Sequence, residues 1–444
     1  MTTFINLPTE IRLLIAQNLS ESEIFGIRLL NSFFFNYWMD IRWREAMVDT
    51  DTPNFSVRAL QRAMYVQGND FFEFPLIMEY IYRDPFVATR LRGLSIRVLP
   101  LESKPQESEL KFDTALSAFI NSLPLLPNIT SLKIYSLSSR VTNYIETISS
   151  SSIAGNLQDL TLTGPLEMFD WLWEYSAHGA PFPNLNKLSL DHYGHTSKKK
   201  RKREQKQKLE SSLCLEHFLR SVAPTLQYLR IHTGDDLSPL FNVLLQHLSG
   251  SDSIFPNLKF LILRLHSNRL LPSSPQAVHR FFLTHNSLHL LHLELLKTAR
   301  LTDTWLADLV NNNGYQLPSL QTLNACINPT DTQMALSPLL SLIKKAAPTL
   351  TSLTVSSHYL RDEEAQSVLD AVTEGKIQAK TTTEEPRKLK SLSIYLRYLS
   401  VSFLDLLATK FPELERLSLR PAMIFGSKQV RLIPLLLLFH TWGD

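Results

Sequence analysis

From residue 91 onward one apolar phrase recurs, Leu-x-x-Leu-x-Leu, with Ile, Val or Ala at some places. It reads LRGLSI at 91, ITSLKI at 129, LQDLTL at 157, LNKLSL at 185, LQYLRI at 226 and LKFLIL at 258. It continues as LHLLHL at 288, LQTLNA at 320, LTSLTV at 350, LKSLSI at 389 and LERLSL at 414. The starts lie 38, 28, 28, 41, 32, 30, 32, 30, 39 and 25 residues apart. The copy at 91 is the weakest, and the copy at 288 admits a register shifted by two. The last two apolar residues of each phrase alternate with a polar one, the period of a short strand with one face buried. Between phrases lie amphipathic stretches that predict helices, among them 116–123, 166–175, 213–222, 278–283, 305–310 and 403–407. One strand with one helix cannot bury its own apolar face, so neighbours must stack. The expected fold class is α/β: a solenoid with parallel strands on its concave face and helices on its convex face. Eleven strands spaced ~4.8 Å apart make a face about 50 Å long.

The first part of the chain has a different period. After Leu7-Pro8-Thr9-Glu10, the residues Ile11, Leu14, Ile15 and Leu19 fall on one helical face. Pro suits an opening turn, where its missing N–H has no helical partner. Ser20-Glu21-Ser22-Glu23 is a capping box, which begins a second helix carrying Ile24, Ile27 and Leu30. A third helix holds Phe34, Trp38 and Ile41 and ends near Trp43 and Met47. Three short helices bury little surface alone, so this module is either a cap on the next domain or wants a partner surface. The expected boundaries are 1–47 for the module, 48–90 for an aromatic-rich helical linker and 91–444 for the solenoid.

Composition sharpens this. Leucine makes up 80 of 444 residues, the mark of a repeated apolar framework, while 13 glycines are too few for folds built on glycine-rich turns. The net charge of +3 is local. Residues 198–210 hold eight Lys/Arg and two Glu, which is +6 and leaves −3 for the rest of the chain. The basicity therefore belongs to one tract, and nucleic acid is not the expected partner. That tract sits in an expected loop insertion at 195–210; a second expected loop spans 374–388. Cys214 and Cys326 lack a partner motif and read as reduced. The N-terminus has no secretory pattern, and no apolar run reaches the ~18 residues of a membrane helix. The run after Arg431 is expected to form a capping helix or a truncated end.

The opening residues resemble an F-box. Leu7, Pro8, Glu10, Ile11, Ile15 and Leu19 match the first part of that family's pattern, Ile24, Arg28, Leu29 and Leu30 the second, and Trp43 the terminal aromatic. Ser32 departs from it, standing where the family has Arg. The later phrases resemble leucine-rich repeats, departing in that the Asn usual after the third Leu is present only at Asn328. F-box proteins with such repeats are substrate receptors of Skp–cullin–F-box ubiquitin ligases. The resemblance implies a Skp-type adaptor and, through it, a cullin on one side, and an unknown protein substrate on the other. It implies adaptor contact or supporting core for Leu7, Pro8, Ile11, Ile15, Leu19, Ile24 and Leu30. The alternative is a leucine-rich scaffold that binds a partner without ubiquitin transfer.

No nucleotide, zinc-protease, thiol-redox or nucleophile-elbow motif occurs. No catalytic residue, cofactor or metal site is expected, and the chain reads as a non-catalytic receptor. His285, His289 and His292 cluster, but around one strand with apolar neighbours, poor geometry for one metal. Asp362-Glu363-Glu364 reads as a helix start. Binding is then expected from residues that alternate with the buried ones: Arg97, Lys133, Tyr135, Asp159, Lys187, Asp191, Tyr228, Arg230, His232, Arg264, Glu294, Tyr395, Arg416 and Arg420. Arg and Tyr are frequent anchors in protein interfaces. All of these except Lys133, Asp159 and Glu294 are the substrate-binding candidates. Lys198, Lys199, Lys200, Arg201, Lys202 and Arg203 resemble a nuclear-import signal, which implies an importin; the other reading is a solvated loop. The expected location is cytoplasm, nucleus or both, with no membrane partner.

Overall fold

The structure is a computed structural model. It describes residues 7–28, 32–49, 85–98, 123–136, 153–164, 182–192, 218–232, 255–266, 285, 287–298, 317–329, 332–379 and 386–424. The chain divides into two compact units, residues 1–171 with 181–185, and residues 172–180 with 186–444.

The first unit opens with α1 (Thr9–Gln17), α2 (Glu21–Ile27) and α3 (Ser32–Trp43). Pro8 is the N-cap of α1, and its carbonyl accepts from the Ile11 and Arg12 amides, both at 3.1 Å. The capping box forms as its spacing predicts. The Ser20 amide donates to Glu23 Oε2 at 2.7 Å, and the Glu23 amide donates to Ser20 Oγ at 3.4 Å. Ala16, Ile24 and Phe34 form the buried centre of the three helices.

The helical end does not run to Met47. α3 stops at Trp43, and β1 (Glu45–Asp49) pairs in parallel with β2 (Gly93–Val98). The Arg44 carbonyl accepts the Arg92 amide at 3.0 Å and the Gly93 amide at 2.9 Å. The same two-to-one fork begins the later strands, with Thr130 and Ser131 on Arg92, or Lys259 and Phe260 on Gln227. Pairing with β2 therefore outweighs another helical turn. A short helix, α4 (Pro85–Ala88), precedes β2. From there Arg90 reaches back to α3, with Nε 2.8 Å from Asp40 Oδ1 and a second nitrogen donating to Asn36 Oδ1 at 3.3 Å. β3 (Ser131–Ser136) and β4 (Asp159–Gly164) complete this unit's parallel ladder. Residues 50–84 of the expected linker lie outside the described residues.

The second unit carries β5 (Lys187–His192), β6 (Tyr228–His232), β7 (Phe260–His266), β8 (Leu290–Thr298), β9 (Thr322–Pro329), β10 (Ser352–Leu360), β11 (Ser391–Leu399) and β12 (Arg416–Ile424). Each pairs in parallel with the next. The architecture is thus α/β with parallel ladders, and all eleven phrases become strands. Leu291 lies opposite both Leu261 and Leu323, so the copy at 288 is unshifted.

Three apolar places per repeat make the core. In the copy at 320, Leu320 and Leu323 are fully buried and Ala325 is 2% exposed. Burying one Leu stabilises by about 2 kcal/mol, so the repeated set dominates the fold. The last copy is the exception: Leu414 and Leu417 are half-buried. Before several strands a buried residue closes a turn onto the phrase's first apolar residue. The amides of Leu185, Leu258 and Leu320 donate to Phe182, Phe255 and Leu317 at 3.2 Å. Four turns of this row are tied to the preceding repeat by an asparagine inside them. The side-chain amides of Asn128, Asn156, Asn184 and Asn257 donate to the carbonyls of Thr89, Pro127, Gly155 and Pro224 at 2.6 to 3.0 Å. His285 belongs to the same turn row. It is buried against Phe255, and its Nε2 accepts the Phe255 amide at 3.2 Å.

Helices α5 (Thr332–Ala346), α6 (Asp362–Ala379) and α7 (Val401–Lys410) connect the last strands. Asp362, Glu363 and Glu364 do occupy the first turn of α6. Of the predicted helices, 403–407 falls in α7, 218–222 is helical, and Leu123 begins a 3-10 turn (Leu123–Leu125). The stretches 166–175, 278–283 and 305–310, the tract 195–210 and the end 425–444 lie outside the described residues. The loop expected at 374–388 is corrected in part, because α6 runs through Ala379 with Gly375 buried. Gly375 marks a close approach of helices. A Cβ there would stand 2.2 Å from the Lys344 carbonyl oxygen and 2.7 Å from Ala347 Cβ. Among the described residues no helix is long and apolar enough to cross a membrane.

Two predictions follow from α6. Gly375→Ala must push α6 off α5, and urea unfolding is expected to show a loss of about 3 kcal/mol, the upper range for overpacking. Burial lowers the Lys376 ammonium from 10.5 to about 8, against the opposing pull of Glu413. Between those two values the unfolded chain holds a proton that the folded chain has shed, so stability rises with pH from about 8 to 10.5. Lys376→Met is expected to be more stable than wild type at pH 7 and to lack that rise, read as melting temperature against pH.

Candidate functional site

Strand alternation sorts each repeat into two faces. Positions two and four, such as Leu188 and Leu190, turn into the core, whereas one, three and five form the other face, called here the open face. Parallel in-register pairing stacks like positions in rows. Position five reads Asp49, Arg97, Tyr135 and Thr163 in the first unit. In the second it reads Asp191, His232, Arg264, Glu294 and Cys326, and later Tyr395 and Arg420. The expected candidates thus share one face within each unit.

In the first unit Lys133, Tyr135 and Asp159 are half-buried, whereas Thr161 and Thr163 are buried. β4 is therefore closed on both faces past its first residue.

The second unit corrects two candidates. Asp191 and His232 are each 6% exposed and cannot serve as solvated contact residues. Asp191 Oδ1 accepts from Arg230 Nε at 3.2 Å and lies 3.9 Å from His232 Nδ1. Burial raises the Asp191 carboxyl above its usual 3.8, and the charges of Arg230 and Arg264 only partly oppose this. The charges here are spent on each other. Beside them, position one carries a stacked row. Lys187 Nζ sits 5.2 Å from the Tyr228 ring, which lies 6.4 Å from the Phe260 ring. Phe260 is 37% exposed, and Ile262, Leu290 and His292 are half-buried around it. Phe260, Ile262 and Leu290 were not expected, because an outward apolar residue in a strand reads like an inward one.

The last strands differ. Their open-face positions are Ser352, Thr354 and Ser356 on β10, Ser391, Ser393 and Tyr395 on β11, and Arg416, Ser418 and Arg420 on β12. Arg416 and Arg420 are exposed and Tyr395 is half-buried. An Arg420 nitrogen donates to the Tyr395 hydroxyl at 2.7 Å. β10 bulges after Val355, so that Leu360 returns opposite Leu396. The bulge brings Tyr359 to 6.0 Å from the Tyr395 ring, an aromatic that strand periodicity alone does not place.

The helical module is the other candidate. Ile11, Leu14, Phe25 and Phe35 are 42%, 56%, 46% and 38% exposed, and Leu13 is 39%. The helical face predicted for α1 is real, but its Ile11 and Leu14 edge points outward, while small Ala16 packs inward. Leu7, Ile15 and Leu19 are half-buried, Pro8 is exposed and Ile24 is interior. Leu30 and the basic residues 198–203 lie outside the described residues. The Phe25 ring lies tilted 5.5 Å from that of Trp38, with the Arg28 guanidinium 3.3 Å above the Phe25 ring.

Compared with models of known families and with curated proteins, the chain matches none.

One prediction tests the buried acid. Because the folded carboxyl titrates above 3.8, raising pH ionises the unfolded chain first, and Asp191 makes the fold less stable as pH climbs from that value through the folded pKa. Asp191→Asn removes this loss. Its melting temperature minus that of wild type is expected to be larger at pH 7 than at pH 3.5.

Proposed function

We propose that this chain is the substrate-recognition subunit of a Skp–cullin–F-box ubiquitin ligase. Its three N-terminal helices dock on the Skp-type adaptor, and the open face of the repeat strands holds a protein substrate. One observation carries the reading: Ile11, Leu14, Phe25 and Phe35 stay solvent-exposed on a module too small to need so many large apolar residues for itself. The module's mounting supports the same reading. Arg90 and the Arg44 fork tie α3 to the first ladder, so a subunit gripping the helices is coupled to the strands beside them. The covalent chemistry belongs to other subunits, and this chain contributes by holding the substrate near the charged enzyme.

The test is capture of a purified Skp-type adaptor. Ile11→Asp with Leu14→Asp is expected to weaken capture by about tenfold or more, as for central interface anchors. Val401→Asp, at a residue 75% exposed on α7, is expected to leave it unchanged. Absence of capture by wild type, or full capture by the double variant, overturns the reading.

A further inference from the structure

On β5 to β8 the open-face cations have partners within the chain: Lys187 lies against the Tyr228 ring, and Arg230 and Arg264 act on Asp191. On β9 to β12 the open-face positions contain no acid at all. There, Arg397 follows two places after Tyr395 with buried Leu396 between, so it stands on the same face, diagonal to Arg420. Both arginines are exposed. Arg420 bonds the Tyr395 hydroxyl, and Arg397 lies 5.5 Å from the Tyr398 ring; among the described residues neither is paired with a carboxylate. The nearby acids are taken, with Lys388 Nζ 2.5 Å from Glu413 and Lys390 Nζ 2.7 Å from Glu415. Two guanidinium groups, two tyrosines and the half-buried hydroxyls of Ser393 and Ser418 offer a donor-rich surface with aromatic walls and no carboxylate. Guanidinium forks match carboxylates two bonds at a time.

We infer that the end of the second ladder binds an acidic segment of a partner protein, whose Asp or Glu carboxylates are received by Arg397 and Arg420 beside Tyr359 and Tyr395. This deepens the proposed substrate role and rests on it only for the identity of that partner as a substrate. The docked carboxylates would occupy the donors that the chain itself leaves unmatched, and the tyrosine rings would cover their side-chain stems.

Fluorescence anisotropy of the full chain with a labelled decaglutamate peptide tests this. Arg397→Gln with Arg420→Gln is expected to weaken binding by about tenfold or more, since charge-assisted pairs are lost. Lys344→Gln with Lys388→Gln removes the same charge from exposed ion pairs and is expected to change binding by about twofold at most. Equal losses in both variants, or no binding by wild type, would overturn the inference. So would a single-stranded oligonucleotide binding more tightly than the peptide, or binding confined to a phosphoserine peptide. Adaptor capture is measured on the same preparations. A failed peptide assay with intact adaptor capture rejects the acidic segment alone, and the reverse result rejects the ligase reading alone.

Discussion

The structure depends on a strand's inability to bury its own leucines. Each repeat presents three apolar places on one side, and only a neighbour in the same register with a layer behind it removes them from water. Parallel in-register pairing is the solution observed in both units. It has a second effect. Once leucines stack on leucines, the residues between them must stack as well, so the open face becomes a set of rows whose chemistry is written one residue per repeat.

Those rows are not uniform, and the differences follow from which charges meet inside the chain. Asp191 is buried and accepts from the half-buried Arg230, with the charge of Arg264 acting on it as well, and an aromatic strip of Tyr228 and Phe260 lies beside them. The last strands carry hydroxyls and arginines without acids. The second unit's ladder thus bears chemically distinct stretches. At the chain's start the logic is reversed: small Ala16 packs inward while Ile11 and Leu14 remain in water.

Much of this was legible in the sequence, for a physical reason. Eleven Leu-x-x-Leu-x-Leu phrases mark strands because their alternation leaves no other face to bury. β1 was hidden because Glu45 to Asp49 carries no leucine and directly follows a helix. Helix α5 was hidden by Pro338, a residue that usually interrupts helices. The end of α6 reads as a loop in the sequence because Gly375 looks like a breaker, whereas in the fold it permits close packing. On the open face, alternation identifies outward residues but not how deeply they lie, so Asp191 and His232 read as solvated side chains although they are buried. Tyr359 was beyond reach of periodicity because a bulge delivers it.

The asparagine ladder and the amide forks share a direction. In every described case the donor belongs to the later repeat and the acceptor to the earlier one: Asn128 to Thr89, Asn156 to Pro127, Asn257 to Pro224. A chain made from its N-terminus therefore finds each acceptor already laid down when the next donor leaves the ribosome. Assembly can proceed vectorially at these turns, each new asparagine registering on a repeat that is already in place.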